Sequence, residues 1–271
     1  MATPTEWTAD AAAAVIRVPA VDDDKYRRGV LGVVTGSDLY PGAAVLGVEA
    51  ALRTGVGMVR YLGPERATDL VLQRRPEAVA TRGRVQAWLL GSGMDPVDRD
   101  PAAMLEALAE GLPSVLDGGG LDLYDHARAP VVLTPHAREL ARVLKADVAD
   151  VLAEPAEWAR IAADDLGVTV LLKGNTTYVA GPGVLYSVRS APTWLATAGA
   201  GDALGGILGA LVATNADAIA ADPAQLARVA ASAALIHGLA AQRASGGGPL
   251  TVLDLCAAVP ETIAGLLRAR D

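Results

Sequence analysis

The sequence predicts an α/β fold in which a mainly parallel sheet is covered by helices on both faces. Three observations carry that prediction: short apolar runs recur along the chain, helical patterns separate them, and most runs end in a polar or glycine-bearing turn. Strands that alternate with helices are joined by right-handed crossovers, which leave the strands parallel. Strands buried on both faces read as continuous apolar runs rather than as alternating ones.

The first run, Val30–Val34, ends in Thr35-Gly36-Ser37-Asp38 and is followed by Pro41-Gly42 and an alanine-rich helical stretch over 43–53. Gly55 and Gly57 introduce a second strand over 58–62, at a distance that suits one β-α-β unit. Further strands are predicted over 85–90, Ser114–Leu116, Val131–Leu133 and 168–172. Between them, apolar residues recur at three and four positions over 102–110, Ala137–Leu144 and 156–166, which predicts helices. Thr177-Tyr178-Val179-Ala180 reads as a return strand leading to the turn Gly181-Pro182-Gly183. Beyond Asp202 the pattern is helical over 203–212, 224–243 and 253–267. Residues 1–24 are read as an N-terminal extension and 25–271 as a single domain, with no internal repeat of fixed period.

Composition narrows the partners. The 271 residues are 52% apolar and carry a formal charge of −8, enough apolar material for a large core and no basic field for nucleic acid. A small phosphorylated ligand stays compatible with that charge, because helix N–H groups bind phosphate without it. Cys256 is the only cysteine, so no intramolecular disulfide forms, which fits a cytoplasmic location. The first twenty residues lack a basic start and a long apolar stretch, and no segment offers the roughly twenty apolar residues of a membrane span.

In a parallel sheet the ligand site lies outside the carboxyl ends of the strands. The strongest motif there is Thr197-Ala198-Gly199-Ala200-Gly201-Asp202-Ala203-Leu204-Gly205-Gly206. Small residues let the chain turn sharply into a helix, and the free N–H groups of Gly199, Ala200 and Gly201 make an anion hole. Asp202 at the same turn can take a proton from a substrate hydroxyl while a phosphoryl group sits on those N–H groups. The plainer alternative is close helix packing, with Asp202 as an N-cap. Lys173-Gly174-Asn175-Thr176-Thr177 follows a strand and suits a nucleotide pocket or an ordinary hairpin. His136, in Leu133-Thr134-Pro135-His136, faces the same rim or caps a helix, and Gly91-Ser92-Gly93 and Asp117 end two further strands. His237 reads as a structural histidine inside a helix, and no set of His, Asp and Glu has the spacing of a zinc site.

Taken together and in order, these segments resemble the ADP-dependent NAD(P)H-hydrate dehydratases, a branch of the ribokinase-like superfamily. The resemblance begins near Lys25 and runs through Gly36-Ser37, Tyr40-Pro41-Gly42-Ala43, Gly91-Ser92-Gly93, Leu116-Asp117, Leu133-Thr134-Pro135-His136, Leu172-Lys173-Gly174 and Gly199-Ala200-Gly201-Asp202. It implies a three-layer α/β/α sandwich. The activity it implies is repair of hydrated NADH or NADPH, in which ADP phosphorylates the C6 hydroxyl of the S epimer and loss of phosphate restores the dihydronicotinamide, leaving AMP. Asp202 would be the base and a substrate contact. Gly201 and Lys173, Gly174, Asn175, Thr176 and Thr177 would hold the nucleotide, while Ala43, Gly93 and His136 would touch the hydrated dinucleotide. Magnesium would accompany the phosphates. The resemblance also implies a homo-oligomer and a separate epimerase acting on the same substrate. A ribokinase-like kinase of a small alcohol would use the same aspartate and anion hole. Three segments depart from the family pattern: Gly91-Ser92-Gly93-Met94-Asp95 lacks a proline, Asp117 is followed by Gly118-Gly119, and Ala191-Pro192-Thr193-Trp194-Leu195 is short.

Overall fold

A computed structural model describes residues 3–270. The chain opens with a short strand β1 (Thr5–Glu6) and helix α1 (Ala9–Val15), then enters β2 (Val30–Val34), α2 (Pro41–Thr54), β3 (Met58–Tyr61) and α3 (Glu65–Arg74). There follow β4 (Ala87–Leu90), α4 (Ala102–Ala109), β5 (Ser114–Leu116), a 3-10 segment (Gly118–His126) and β6 (Val131–Leu133). Three helices, α5 (Ala137–Leu144), α6 (Val148–Ala153) and α7 (Pro155–Leu166), lead to β7 (Thr169–Leu172), β8 (Thr177–Gly181) and β9 (Val184–Val188). A 3-10 turn (Thr193–Leu195) precedes the closing helices α8 (Ala200–Thr214), α9 (Ala216–Ala221), α10 (Gln225–Ser245) and α11 (Val252–Arg270).

The nine strands form one sheet in the order β1-β9-β8-β7-β6-β5-β4-β2-β3. Only β8 runs against its neighbours. Residues alternate between two cores: Leu31, Val33, Leu89, Val115, Val132 and Leu171 face one layer of helices, and Val30, Val34, Leu90, Leu116, Leu133 and Leu172 face the other. The first layer contains α1, α2, α8, α10 and α11, and the second contains α4, α5 and α7. This is the three-layer sandwich that the resemblance implies. No helix among the described residues is long and apolar enough to cross a membrane.

Two features of the sheet position the site. The chain passes from β2 out to β3 and then back to β4 on the other side of β2, so the strand order reverses between β2 and β4. Their loops meet there, with the Gly36 N–H donating to the Ser92 carbonyl at 2.7 Å. On the helix side, α8 packs directly on α2. A Cβ on Gly206 would lie 2.1 Å from the Gly47 carbonyl oxygen, so only glycine permits this approach.

The segment read as an N-terminal extension is built into the same sheet. β1 pairs in parallel with β9, Trp7 packs against Tyr186 with ring centroids 4.6 Å apart, and the Trp7 indole donates to Ser232 Oγ at 3.0 Å. Neither β1 nor β9 is anticipated by the sequence pattern.

Candidate active site

The glycine-rich turn is a helix start whose N-cap is not Asp202. Gly199 holds the N-cap position with φ of 89°, a left-handed conformation that favours glycine, and no side chain caps the helix. The Ala200 N–H donates to the Thr197 carbonyl at 3.4 Å, which leaves the next N–H, that of Gly201, without a side-chain cap, and Asp202 stands beside it in the first turn. Close packing accounts for Gly206 and contributes at Gly199, where a Cβ would lie 2.5 Å from Leu46 Cδ1, but not at Gly201. A Cβ on Gly201 would lie 3.5 Å from Lys173 Nζ, which places an ammonium against the same turn.

Lys173 leaves the carboxyl end of β7 and points inward. Its Nζ donates to Asp117 Oδ1 at 2.8 Å and lies 3.8 Å from Glu139 Oε2. Asp117, buried at the end of β5, also accepts from Thr134 Oγ1 at 2.7 Å. Burial disfavours the Asp117 carboxylate, but the Lys173 ammonium and the Thr134 hydroxyl outweigh it and hold its pKa below the usual value. Burial likewise works against the Lys173 ammonium, and the carboxylates of Asp117, Glu139 and Asp202 raise it instead. Asp202 has no such partner. Burial, with a smaller contribution from the Asp117 charge, pushes its carboxyl up to about 6 against the pull of Lys173. Two acids around one lysine are thus driven apart, one held ionised and one poised near neutrality.

A cleft of about 740 Å³ opens in front of this turn. Lys173, Gly174, Asn175 and Thr177 line one side, Ala200, Gly201 and Leu204 another, and the 190–197 segment a third. Thr176 is absent from the lining, and its hydroxyl accepts from Arg189 Nε at 3.0 Å. His136 caps α5: its Nδ1 accepts from the Glu139 N–H at 3.1 Å, and the Glu139 carboxylate accepts the His136 N–H at 2.8 Å. With Nδ1 occupied as an acceptor, the neutral ring carries its proton on Nε2. The half-exposed ring also lines the cleft beside Lys173, so capping and rim positions coincide.

Comparison with known proteins gives this geometry its relatives. Residues 31–256 match the NAD(P)H-hydrate dehydratase family. The chain belongs to that family. The ADP-dependent (S)-NAD(P)H-hydrate dehydratase of Xanthomonas campestris is 32% identical over 228 residues, which cover 75% of this chain and 79% of that protein. The bifunctional NAD(P)H-hydrate repair enzyme of Mycobacterium tuberculosis is 45% identical over 211 residues, 73% of this chain and 44% of that protein. This dehydratase-family chain thus spans less than half the length of its mycobacterial relative. Among solved structures, the ADP/ATP-dependent NAD(P)H-hydrate dehydratase of Bacillus subtilis, co-crystallised with ATP and magnesium, superposes with a TM-score of 0.87 at 26% identity, covering 97% of this chain and 99% of that one. The fold is ribokinase-like.

Within the dehydratase-family fold, two of the three residues expected at the dinucleotide come together at the point of strand reversal. A Cβ on Gly93 would fall 2.4 Å from the Ala43 Cβ, so the β4 loop and the start of α2 touch. His136 stands apart from them, on the cleft with Lys173. The helix α8 joins both regions, since Gly201 lines the cleft and Gly205 faces Ser92 Oγ, 3.5 Å from where its Cβ would be. Sequence reasoning missed three groups. The buried hydroxyls of Thr35 and Ser92 lie at the loops that follow β2 and β4. His237, expected to be structural, reaches the cleft from α10. A helical pattern of small apolar residues gives no signal that distinguishes such a histidine from one in the core.

Proposed function

We propose that the chain catalyses ADP-dependent dehydration of the S epimer of hydrated NADH or NADPH, yielding the reduced dinucleotide, AMP and phosphate. The observation that carries this reading is the shared turn at α8: Gly201 and Lys173 line one cleft large enough for a nucleotide, and the Asp202 carboxylate stands in the same first helical turn. Family membership supplies the substrate class.

The chemistry follows from those positions. Asp202, ionised above about pH 6, takes the proton of the C6 hydroxyl. The freed oxygen bonds to the β-phosphorus of ADP, and the bond from that phosphorus to the bridging oxygen breaks, releasing AMP. The Gly201 N–H and the Lys173 ammonium stabilise charge on the phosphoryl oxygens in transit. The ring nitrogen then pushes electrons toward C6, the C6–O bond breaks with its electron pair leaving on phosphate, and loss of a C5 proton restores the C5=C6 double bond. Gly174, Asn175 and Thr177 form the nucleotide side of the site, with Thr176 held off the cleft by Arg189, Ala43 and Gly93 form the dinucleotide side, and His136 stands on the cleft rim beside Lys173.

Magnesium fits this site as an ion carried by the nucleotide. Asp117 spends Oδ1 on Lys173 and Thr134, and Glu139 is tied to the cap of α5, so phosphates and water would supply its ligands. Bound there, it would neutralise phosphate charge. A stereospecific site also leaves the R epimer untouched, so full repair needs an epimerase activity.

The test is direct. Purified protein with ADP, magnesium and the S epimer of hydrated NADH should regenerate the near-ultraviolet absorbance of dihydronicotinamide and release AMP and phosphate in equal amounts. No absorbance, with formation of a stable phosphate ester on a simple alcohol, would overturn the assignment in favour of a kinase.

A further inference from the structure

Among the described residues, Lys173 is the only lysine or arginine in the wall of the cleft, and the carboxylates of Asp117, Glu139 and Asp202 all act on it. A lysine carries a compact charge on a flexible stem, so its backbone position alone does not decide which acid it pairs with. The choice matters for the chemistry. An ammonium bound to Asp202 would occupy the carboxylate that must take a proton, and would be withdrawn from the phosphoryl oxygens. An ammonium held by another acid leaves both groups free for their tasks.

The fold selects the second arrangement. Lys173 Nζ donates to Asp117 Oδ1 at 2.8 Å and pairs more loosely with Glu139 Oε2 at 3.8 Å, while no ion pair with Asp202 forms among the described residues. So held, the ammonium lies 3.5 Å from where a Cβ of Gly201 would be, against the turn that faces the cleft. The holder is itself fixed. The Asp117 N–H donates to the Leu90 carbonyl at 3.0 Å, the Thr134 N–H to the Leu116 carbonyl at 3.0 Å and the Lys173 N–H to the Pro135 carbonyl at 2.8 Å. The hydrogen-bond ladder thus runs on past the strand ends and sets acid, hydroxyl and lysine in register. Thr134 Oγ1 adds a second donor to Asp117 Oδ1 at 2.7 Å. A buried carboxylate with two charge-assisted or hydroxyl donors on one oxygen is a firmer anchor than Glu139, which also accepts the His136 N–H.

We propose that Asp117 is a positioning residue: it holds the Lys173 ammonium at the glycine-rich turn, where it meets the phosphoryl group, and keeps it out of an ion pair with Asp202, which stays free to act as the base. The proposal rests on the dehydratase reading above. It assigns Asp117 no contact with the reacting atoms.

The charged groups of this cluster are Asp117 from β5, Lys173 from β7, Glu139 from α5 and Asp202 itself; His237 on α10 is neutral in the cleft wall, and α2 presents Gly47 to the Asp202 backbone. Asp117→Asn removes the anchor and lets the ammonium move to Asp202, which favours the Asp202 carboxylate. The acidic limb of kcat/KM should therefore move down from about pH 6 by about one unit, and kcat near pH 8 should fall on the order of tenfold. Asp117→Glu keeps the charge and should return the limb toward that of wild type. A merely structural role lowers the rate at every pH with the limb in place, and that result would overturn the proposal. Two measurements need no turnover. In aspartate-labelled free protein, the carbon NMR titration of the Asp202 carboxyl, identified by its loss in Asp202→Asn, should show the same downward shift in Asp117→Asn. Crystal structures near pH 8 should place Lys173 Nζ on Asp117 in the wild type and on Asp202 in Asp117→Asn. A wild-type lysine bonded to Asp202, or a lysine that stays in place when Asp117 is replaced, refutes the proposal, and the first of these outcomes needs no variant to fold. Absence of any turnover by the wild type would remove the dehydratase reading, while the titration and the crystal structures still decide the role of Asp117.

Discussion

Replacing Asp202 by Asn should abolish turnover and at the same time stabilise the folded protein. The carboxyl has a pKa of about 6 in the fold, above its ordinary 3.8, so the folded state holds the proton more tightly than the unfolded chain does. A raised folded pKa contributes stability below about pH 4 that is lost as pH rises through about 6. That rise corresponds to roughly 3 kcal/mol between those limits. The N-terminal end of α8 favours a carboxylate by about 0.3–1 kcal/mol, which leaves about 2 kcal/mol. The Asn variant carries no ionisable group there, so near pH 8 it should be more stable than wild type by about 2 kcal/mol, or roughly 4–8 °C in Tm. Near pH 4 the difference should shrink to a few tenths of a kcal/mol. Urea unfolding of both proteins at the two pH values measures this. If the Asn variant is less stable at pH 8, or differs from wild type equally at both pH values, then Asp202 does not sit ionised in a desolvated site and the electrostatic account of it fails.

The remaining predictions concern the same site and the frame around it. Because Asp202 titrates at about 6, kcat/KM should fall about tenfold between pH 7 and pH 5, where a carboxylate of ordinary pKa would lose less than about 10% of the rate. A flat profile over that range would exclude Asp202 as the base. Lys173→Met leaves the buried Asp117 carboxylate without its cation and should cost about 3–5 kcal/mol, part of which the double variant with Asp117→Asn regains in a denaturant double-mutant cycle. Far from the cleft, Glu49 is fully buried on α2, accepts from Arg53 and Arg74 at 3.1 Å each and pairs with Arg75. Glu49→Leu should therefore destabilise the fold by several kcal/mol while leaving Kd for ADP, measured calorimetrically, unchanged.

How much of this was legible beforehand differs by element. Ser114–Leu116 and Val131–Leu133 read true to the residue because every side chain in them is buried, which is what a continuous apolar run encodes. Helix α3 was missed because it buries only Ala67 and Val71 and is otherwise polar. The strand β1 has two residues, both exposed, and exists through its pairing with β9. No local pattern encodes a partner nearly two hundred positions away.

Sequence alone determined the alternation of strands and helices, the glycine-rich turn into a helix, and the order of motifs that resembles the dehydratase family. All of these are local, set by apolar periodicity and by the few residue types that allow a sharp turn. Only the tertiary structure decided that Gly199, not Asp202, caps α8, that Lys173 is bound to Asp117, and that Asp202 is left as the acid without a close partner. Only it brought His237 to the wall of the cleft. The reason is physical: a carboxyl group's pKa depends on what lies within a few ångströms, and here those neighbours, Asp117 and Lys173, come from the ends of β5 and β7, brought together by the parallel sheet.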